Sequence, residues 1–115
     1  MREIQDILDA SLIIGEAHLD REIHTCGASD LMSDILAKLA EGCIFLTGLT
    51  TVHAVRTAAI SGVGAVVFVR NKIPPEDVIA MAKEEEIPLF TSPYSMFVSC
   101  GRLHAKGLTG LNGDR

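Results

Sequence analysis

With 115 residues and a formal charge of −5 at pH 7, the chain has room for one domain around one core and no basic surface to neutralise a nucleic-acid backbone. Hydrophobic residues make up 48% but aromatic ones only 4%, with no Trp, so Ile, Leu, Val and Ala fill the core, as in a sheet buried on both faces. No apolar run reaches the roughly 20 residues of a membrane span, and no basic-then-apolar leader precedes the first acidic residues; the expected location is the cytoplasm.

In chain order, a short helix over residues 2–9 leads into the apolar run Leu12-Ile13-Ile14 and then a second short strand over 22–26. Ser29 can cap a helix over 30–40, in which Leu31, Met32, Ile35, Leu36 and Leu39 share one side at helical spacing. A strand over 43–46 ends on Thr47-Gly48-Leu49-Thr50-Thr51, and a helix over 52–61 follows. Gly62-Val63-Gly64 turns the chain into the apolar strand 65–69. Pro74 and Pro75 suit the first turn of a helix over 76–85, whose early acids match the helix dipole. The strand 87–90 comes next, and Ser92 before Pro93 reads as a cap opening a last helix that reaches about residue 106. Residues 1–108 thus read as a single domain and 109–115 as a flexible tail.

Successive strand–helix units imply right-handed crossovers and a mainly parallel sheet with helices on both faces, a layered α/β/α domain. Residues 12–14 either join this sheet or pair with 22–26 in a separate hairpin.

Open parallel sheets bind ligands beyond the carboxyl ends of their strands. There the sequence offers Gly27-Ala28-Ser29-Asp30, Thr47-Gly48-Leu49-Thr50, Arg70-Asn71-Lys72 and Thr91-Ser92. Gly48, Thr50, Arg70, Asn71, Thr91 and Ser92 are the candidate binding residues, a cradle of hydroxyls, N–H groups and one charge for a small anionic or nucleotide-like ligand. The same residue types also serve as plain helix caps. Arg56 falls among Val52, Val55, Ala59 and Ile60 on the helical wheel. It would therefore snorkel, pair across an interface or reach the strand-end cleft.

Asp30 and Asp34, one turn apart, could share a cation, but no third ligand accompanies them, and His18, His24, His53 and His104 have no ligand spacing; no metal is assigned. Cys26, Cys43 and Cys100, odd in number and without a CxxC, read as free core thiols, with Cys100 beside Met96 and Leu103 on an apolar face. Nothing matches a triphosphate loop, a GxSxG elbow or a GxGxxG turn. The expectation is binding without catalysis and without a cofactor.

The stretch "FLTGLTTVHAVRTAAISGVGAVVFVRNKIPPEDVIAMAKEEEIPLFTSPYSMF", with "GASDLMSDILA" before it, resembles the DRTGG domain family, which is similar to the N-terminal domain of HPr kinase/phosphorylase. "ASDLMSDIL" and "FVRNKIP" resemble its small stand-alone members from anaerobic bacteria, found alongside hydrogenase or redox-signalling proteins. Leu49-Thr50 stand where the Asp-Arg of the family name would fall, and Val69-Arg70-Asn71 where its Thr-Gly-Gly would; Gly48, Pro74 and Thr91-Ser92-Pro93-Tyr94 keep the pattern. The resemblance implies a regulatory module that forms a homodimer and senses an effector. The alternative it leaves is an adaptor for a protein partner in redox or hydrogenase-linked signalling.

Overall fold

Two four-residue runs, Ile44–Thr47 (β3) and Ala65–Phe68 (β4), are buried at every position, because both of their sheet faces are covered. The computed structural model describes residues 2–23, 25–28 and 42–109. The other described elements are α1 (Arg2–Ile7), β1 (Ser11–Ile14), a 3-10 turn at Glu16–His18, β2 (Cys26–Ala28), α2 (Val52–Ser61), α3 (Glu76–Glu84), β5 (Leu89–Thr91) and α4 (Met96–Ala105).

The five strands form one sheet in the order β1-β5-β4-β3-β2. The four strands from β2 to β5 run parallel, while β1 pairs antiparallel with β5, Leu12 opposite Phe90, with an irregularity before Ile14. The Leu12–Ile14 run therefore joins the main sheet rather than a hairpin. The strand expected over 22–26 begins only at Cys26, because the residues ahead of it have other work. Ile23 is buried against the core, and Arg21 donates to the Gly64 and Glu86 carbonyls at 3.0 and 3.1 Å, tying together the amino ends of β4 and β5.

Side chains alternate across the sheet, as the two-residue period of a strand requires. Phe45, Val66, Phe68 and Leu89 pack with Val55, Ala58, Val78 and Ala82 of α2 and α3 on one face. Ile44, Leu46, Val67 and Phe90 pack with Ile4, Leu8 and Leu103 of α1 and its exit and α4 on the other. Each fully buried Leu, Ile or Phe contributes about 1.5–3 kcal/mol of hydrophobic stabilisation.

Local chemistry sets the helix limits. Thr51 caps α2 by accepting from the Ala54 N–H at 3.1 Å, and Gly62, at φ 76°, ends it in the left-handed conformation that glycine adopts at least cost. α3 begins at Glu76 with Pro75 as its N-cap, so Pro74 and Pro75 precede the helix instead of forming its first turn. α4 begins at Met96, capped by Ser95, whose Oγ accepts from the Val98 N–H at 3.2 Å. Ser92 is not that cap: it is fully buried and its hydroxyl is committed elsewhere. Arg56 is exposed, not within an apolar arc. The buried arc of α2 runs through Ala54, Val55, Thr57 and Ala58, and Ile60, expected on one apolar arc with Arg56, is itself 76% exposed. Thr109 pairs with Thr25, so the expected tail is held at its first residue. Ser29, the helix over 30–40, Asp30, Asp34, His24 and residues 110–115 lie outside the described residues.

Candidate functional site

The carboxyl ends of β3, β4 and β5 are laced together by hydrogen bonds between their exit loops. After β3, the Thr47 Oγ1 accepts from the Leu49 N–H at 3.1 Å, a side chain-to-backbone turn that swings the chain toward α2. Gly48, at the bend, is buried, and its carbonyl accepts from the Lys72 ammonium at 3.1 Å. Thr50 is half-buried beyond it.

After β4, the chain reverses at Val69-Arg70-Asn71-Lys72. The Lys72 N–H donates to the Val69 carbonyl at 3.3 Å, and Arg70 and Asn71 sit at φ 58° and 56°. Two successive left-handed residues closed by that bond define a type I′ turn. Asn tolerates this conformation, but for Arg it costs about 1–2 kcal/mol. The turn is fastened from β5's exit. The Arg70 N–H donates to the Tyr94 carbonyl at 2.8 Å and the Asn71 N–H to the Ser92 carbonyl at 2.7 Å. The Thr91 hydroxyl donates to the Lys72 carbonyl at 2.9 Å.

Ser92 is fastened in turn. Its hydroxyl donates to the Leu8 carbonyl at 2.7 Å and accepts from the Tyr94 N–H at 3.3 Å. Arg102 of α4 donates from Nε to the neighbouring Ile7 carbonyl at 2.6 Å, so two carbonyls at the end of α1, which have no partner within the helix, are taken up by side chains. The Arg102 guanidinium also lies 4.6 Å from the Tyr94 ring centroid, a cation–π contact that clamps the loop.

The structure thus brings Gly48, Arg70, Asn71, Thr91 and Ser92 together at one end of the sheet, but in two kinds of role. The hydroxyls of Thr91 and Ser92 and the N–H groups of Arg70 and Asn71 are spent on holding the loops. The side chains of Arg70, Asn71 and Lys72 are exposed and form the outward rim. Lys72, offered at the exit of β4, was not among the candidate binding residues; its reach back to Gly48 crosses between two strand exits and leaves no mark in local spacing. Grooves at the other end of the sheet lie away from these candidates. One of about 590 Å³ is bordered by Arg2, Asp20, Arg21, Lys106 and Thr109, and one of about 490 Å³ by Ile14, His18, Lys83 and Ile87.

The parallel sheet with one antiparallel edge, helices on both faces and an exit rim built on a type I′ turn define a small mixed α/β domain. The DRTGG domain family matches residues 3–105, and the chain belongs to it. No curated protein matches the sequence. Among solved structures, the fold is similar to that of the CBS and DRTGG domains of the regulatory region of the Clostridium perfringens pyrophosphatase, complexed with its activator diadenosine tetraphosphate, with a TM-score of 0.70, 16% identity and 90% of this chain covered. The chain spans 45% of that solved chain. Arg70 and Asn71, which the resemblance sets at the Gly-Gly places of the family name, have the positive φ that glycine adopts without penalty. Among the described residues, no helix is long and apolar enough to cross a membrane.

Proposed function

We propose that this chain is a non-catalytic regulatory module, working as a homodimer in the cytoplasm, whose strand-end rim takes a small anionic or nucleotide-like effector. The observation that carries this reading is Arg70. Its backbone is held at φ 58° by bonds from its own N–H and that of Asn71, at a position where glycine would remove the strain. Its side chain is exposed, and among the described residues it has no carboxylate partner. Keeping a long cation in a glycine conformation is accounted for if the guanidinium meets an anion. Gly48 and Thr50 would border that anion beside Asn71, and Thr91 and Ser92 would fix the loop that presents it. Because both of these hydroxyls already donate to carbonyls, neither is poised as a nucleophile.

The test is a thermal-shift titration of the chain with diadenosine tetraphosphate, mononucleotides and inorganic phosphate, repeated on Arg70→Ala. A saturable rise that the substitution abolishes supports the reading; no rise with any of them refutes it. Light scattering at micromolar concentration tests the homodimer, and a monomer there rejects that part.

The alternative, an adaptor for a protein partner in redox-linked signalling, draws on exposed apolar side chains. Phe97 is 87% exposed near the start of α4, and Ile73, next to the rim, is 66% exposed. Such groups suit a protein surface better than a nucleotide. An adaptor would leave the melting temperature unmoved by every nucleotide.

A further inference from the structure

Cys26 and Cys100 are far apart in sequence, on β2 and α4 respectively, and the fold packs both against one core layer. Cys26 pairs in register with Ile44, so the two side chains share a sheet face. Ile44 packs in the layer closed by Leu103 of α4, and Cys26 and Cys100 both lie against that layer. Cys100 precedes Leu103 by three residues, close to one helical turn, which puts it on the sheet-facing flank of α4. Both thiols are only partly buried, whereas Cys43 is fully buried on the opposite face with Phe45 and Val66. β2 and α4 are in direct contact, and each thiol shifts the ionisation of the other, while the Cys26 Sγ donates to the Gly27 carbonyl at 4.0 Å.

We propose that Cys26 and Cys100 are a reversible dithiol–disulfide pair that latches the edge strand β2 to α4, oxidised by exchange with an external disulfide of the glutathione or thioredoxin class. The inference is independent of any effector at the strand ends.

The chemistry is a two-step exchange. The Cys100 thiolate attacks one sulfur of the external disulfide, whose S–S bond breaks. A mixed disulfide forms on Cys100, and one thiolate departs. Cys26 then gives its proton to the departing thiolate and attacks the Cys100 sulfur. The bond between Cys100 and the small thiol breaks, and the second thiolate leaves, taking up the proton that Cys100 had released. Two electrons pass from the protein pair to the external disulfide, which is reduced to two thiols. Assignment of the attacking role to Cys100 fits its environment. The Cys26 hydrogen bond outweighs burial and lowers the Cys100 thiol to about 7, while the same hydrogen bond, burial and the neighbouring thiols raise Cys26. A low thiol facing solvent attacks, and a raised one behind it resolves.

The latch would join parts already in contact. The Cys26 N–H donates to the Thr109 carbonyl at 3.0 Å, so the segment leaving α4 lies on the outer edge of β2. A covalent bond between Cys26 and α4 would fasten the beginning and the end of the parallel set, constraining the unfolded chain over a long loop.

The test equilibrates the whole purified chain with oxidised and reduced glutathione over a range of ratios, quenches it in acid, and alkylates it in denaturant before intact-mass and peptide analysis. The expected product takes up one alkyl group instead of three, at Cys43, and yields a Cys26–Cys100 peptide. Cys26→Ala and Cys100→Ala each abolish that product, and Cys43→Ala leaves the linked peptide in place. Three alkylated cysteines at the most oxidising ratio would overturn the proposal, as would a stable glutathione adduct on Cys100 or a link through Cys43. The wild-type peptide map decides the matter even if a variant fails to fold.

Discussion

The Ser92 hydroxyl donates to the Leu8 carbonyl at 2.7 Å, joining the exit of β5 to the end of α1 through two residues that are both fully buried. Removing this hydroxyl leaves a buried carbonyl without its partner, and that penalty exceeds the net value of an ordinary hydrogen bond. Ser92→Ala is therefore expected to lower stability by about 1–3 kcal/mol, measured as a shift in the urea midpoint at unchanged m-value. An unchanged midpoint would mean that the hydroxyl does not hold the α1 end.

Arg70 makes the opposite prediction for stability. Arg70→Gly removes a left-handed non-glycine residue but loosens the unfolded chain, so a net gain of roughly 0.5–1 kcal/mol is expected, somewhat less than the strain removed. Arg70→Val, β-branched, should cost more than the native Arg does. If the guanidinium contacts an effector, Arg70→Gly gains stability while losing the ligand-induced rise in melting temperature. A destabilised Arg70→Gly would show that the side chain, not the turn, stabilises this loop.

At the other end of the sheet, Gly64 lies where a Cβ would stand 2.5 Å from the Ile23 Cδ1 and 3.0 Å from the Gly42 carbonyl oxygen. The Ile23 methyl can swing away; the Gly42 backbone, whose own N–H donates to the Gly62 carbonyl at 2.8 Å, has less freedom. Gly64→Ala is expected to cost about 1–3 kcal/mol, and adding Ile23→Val should restore part of it. Denaturation of the single and double variants checks this, and additive losses would show that Ile23 is not the clashing partner.

What could be read in the sequence was whatever a local pattern carries. α2 spans 52–61 as expected, since Thr51 and Gly62 bracket it with a cap and a left-handed stop, and the apolar run at 65–69 is a buried central strand. The meeting of Gly48, Arg70, Asn71, Thr91 and Ser92 at one end of the sheet was legible because each follows a strand of one parallel set. The antiparallel seat of β1 was not, because its partner β5 lies near the other end of the chain. Ser92 and Ser95 are equally good caps in sequence; burial of Ser92 beside Leu8 decides between them. The left-handed backbone of Arg70 carries no signal in its own residue type, since it is not Gly, and the bonds from the Thr91 and Ser92 hydroxyls to carbonyls leave no mark in local spacing. The three cysteines read as inert core because contact between Cys26 and Cys100 arises only when β2 and α4 pack.

That contact sets a last, pH-dependent expectation. An isolated thiol near 9 is about one per cent thiolate at pH 7, whereas Cys100, lowered to about 7 by the Cys26 hydrogen bond, is about half ionised there. Among the described residues, its environment leaves Cys26 as the group responsible. β2 presents no other titratable side chain, Arg102 and His104 on α4 are exposed, and the charged residues of α1 (Arg2, Glu3 and Asp6) do not contribute to the shift. The sign follows directly: alkylation of Cys100 by iodoacetamide should rise with pH and level off above about pH 7 to 8, not continue to climb toward pH 9. Cys26→Ala removes the donor, so the inflection should move upward toward the ordinary thiol range and the rate at pH 7 should fall by roughly tenfold or more. A wild-type inflection near 9, unmoved by Cys26→Ala, would show that the two sulfurs do not share a proton in solution, and the exchange mechanism would lose its attacking thiolate.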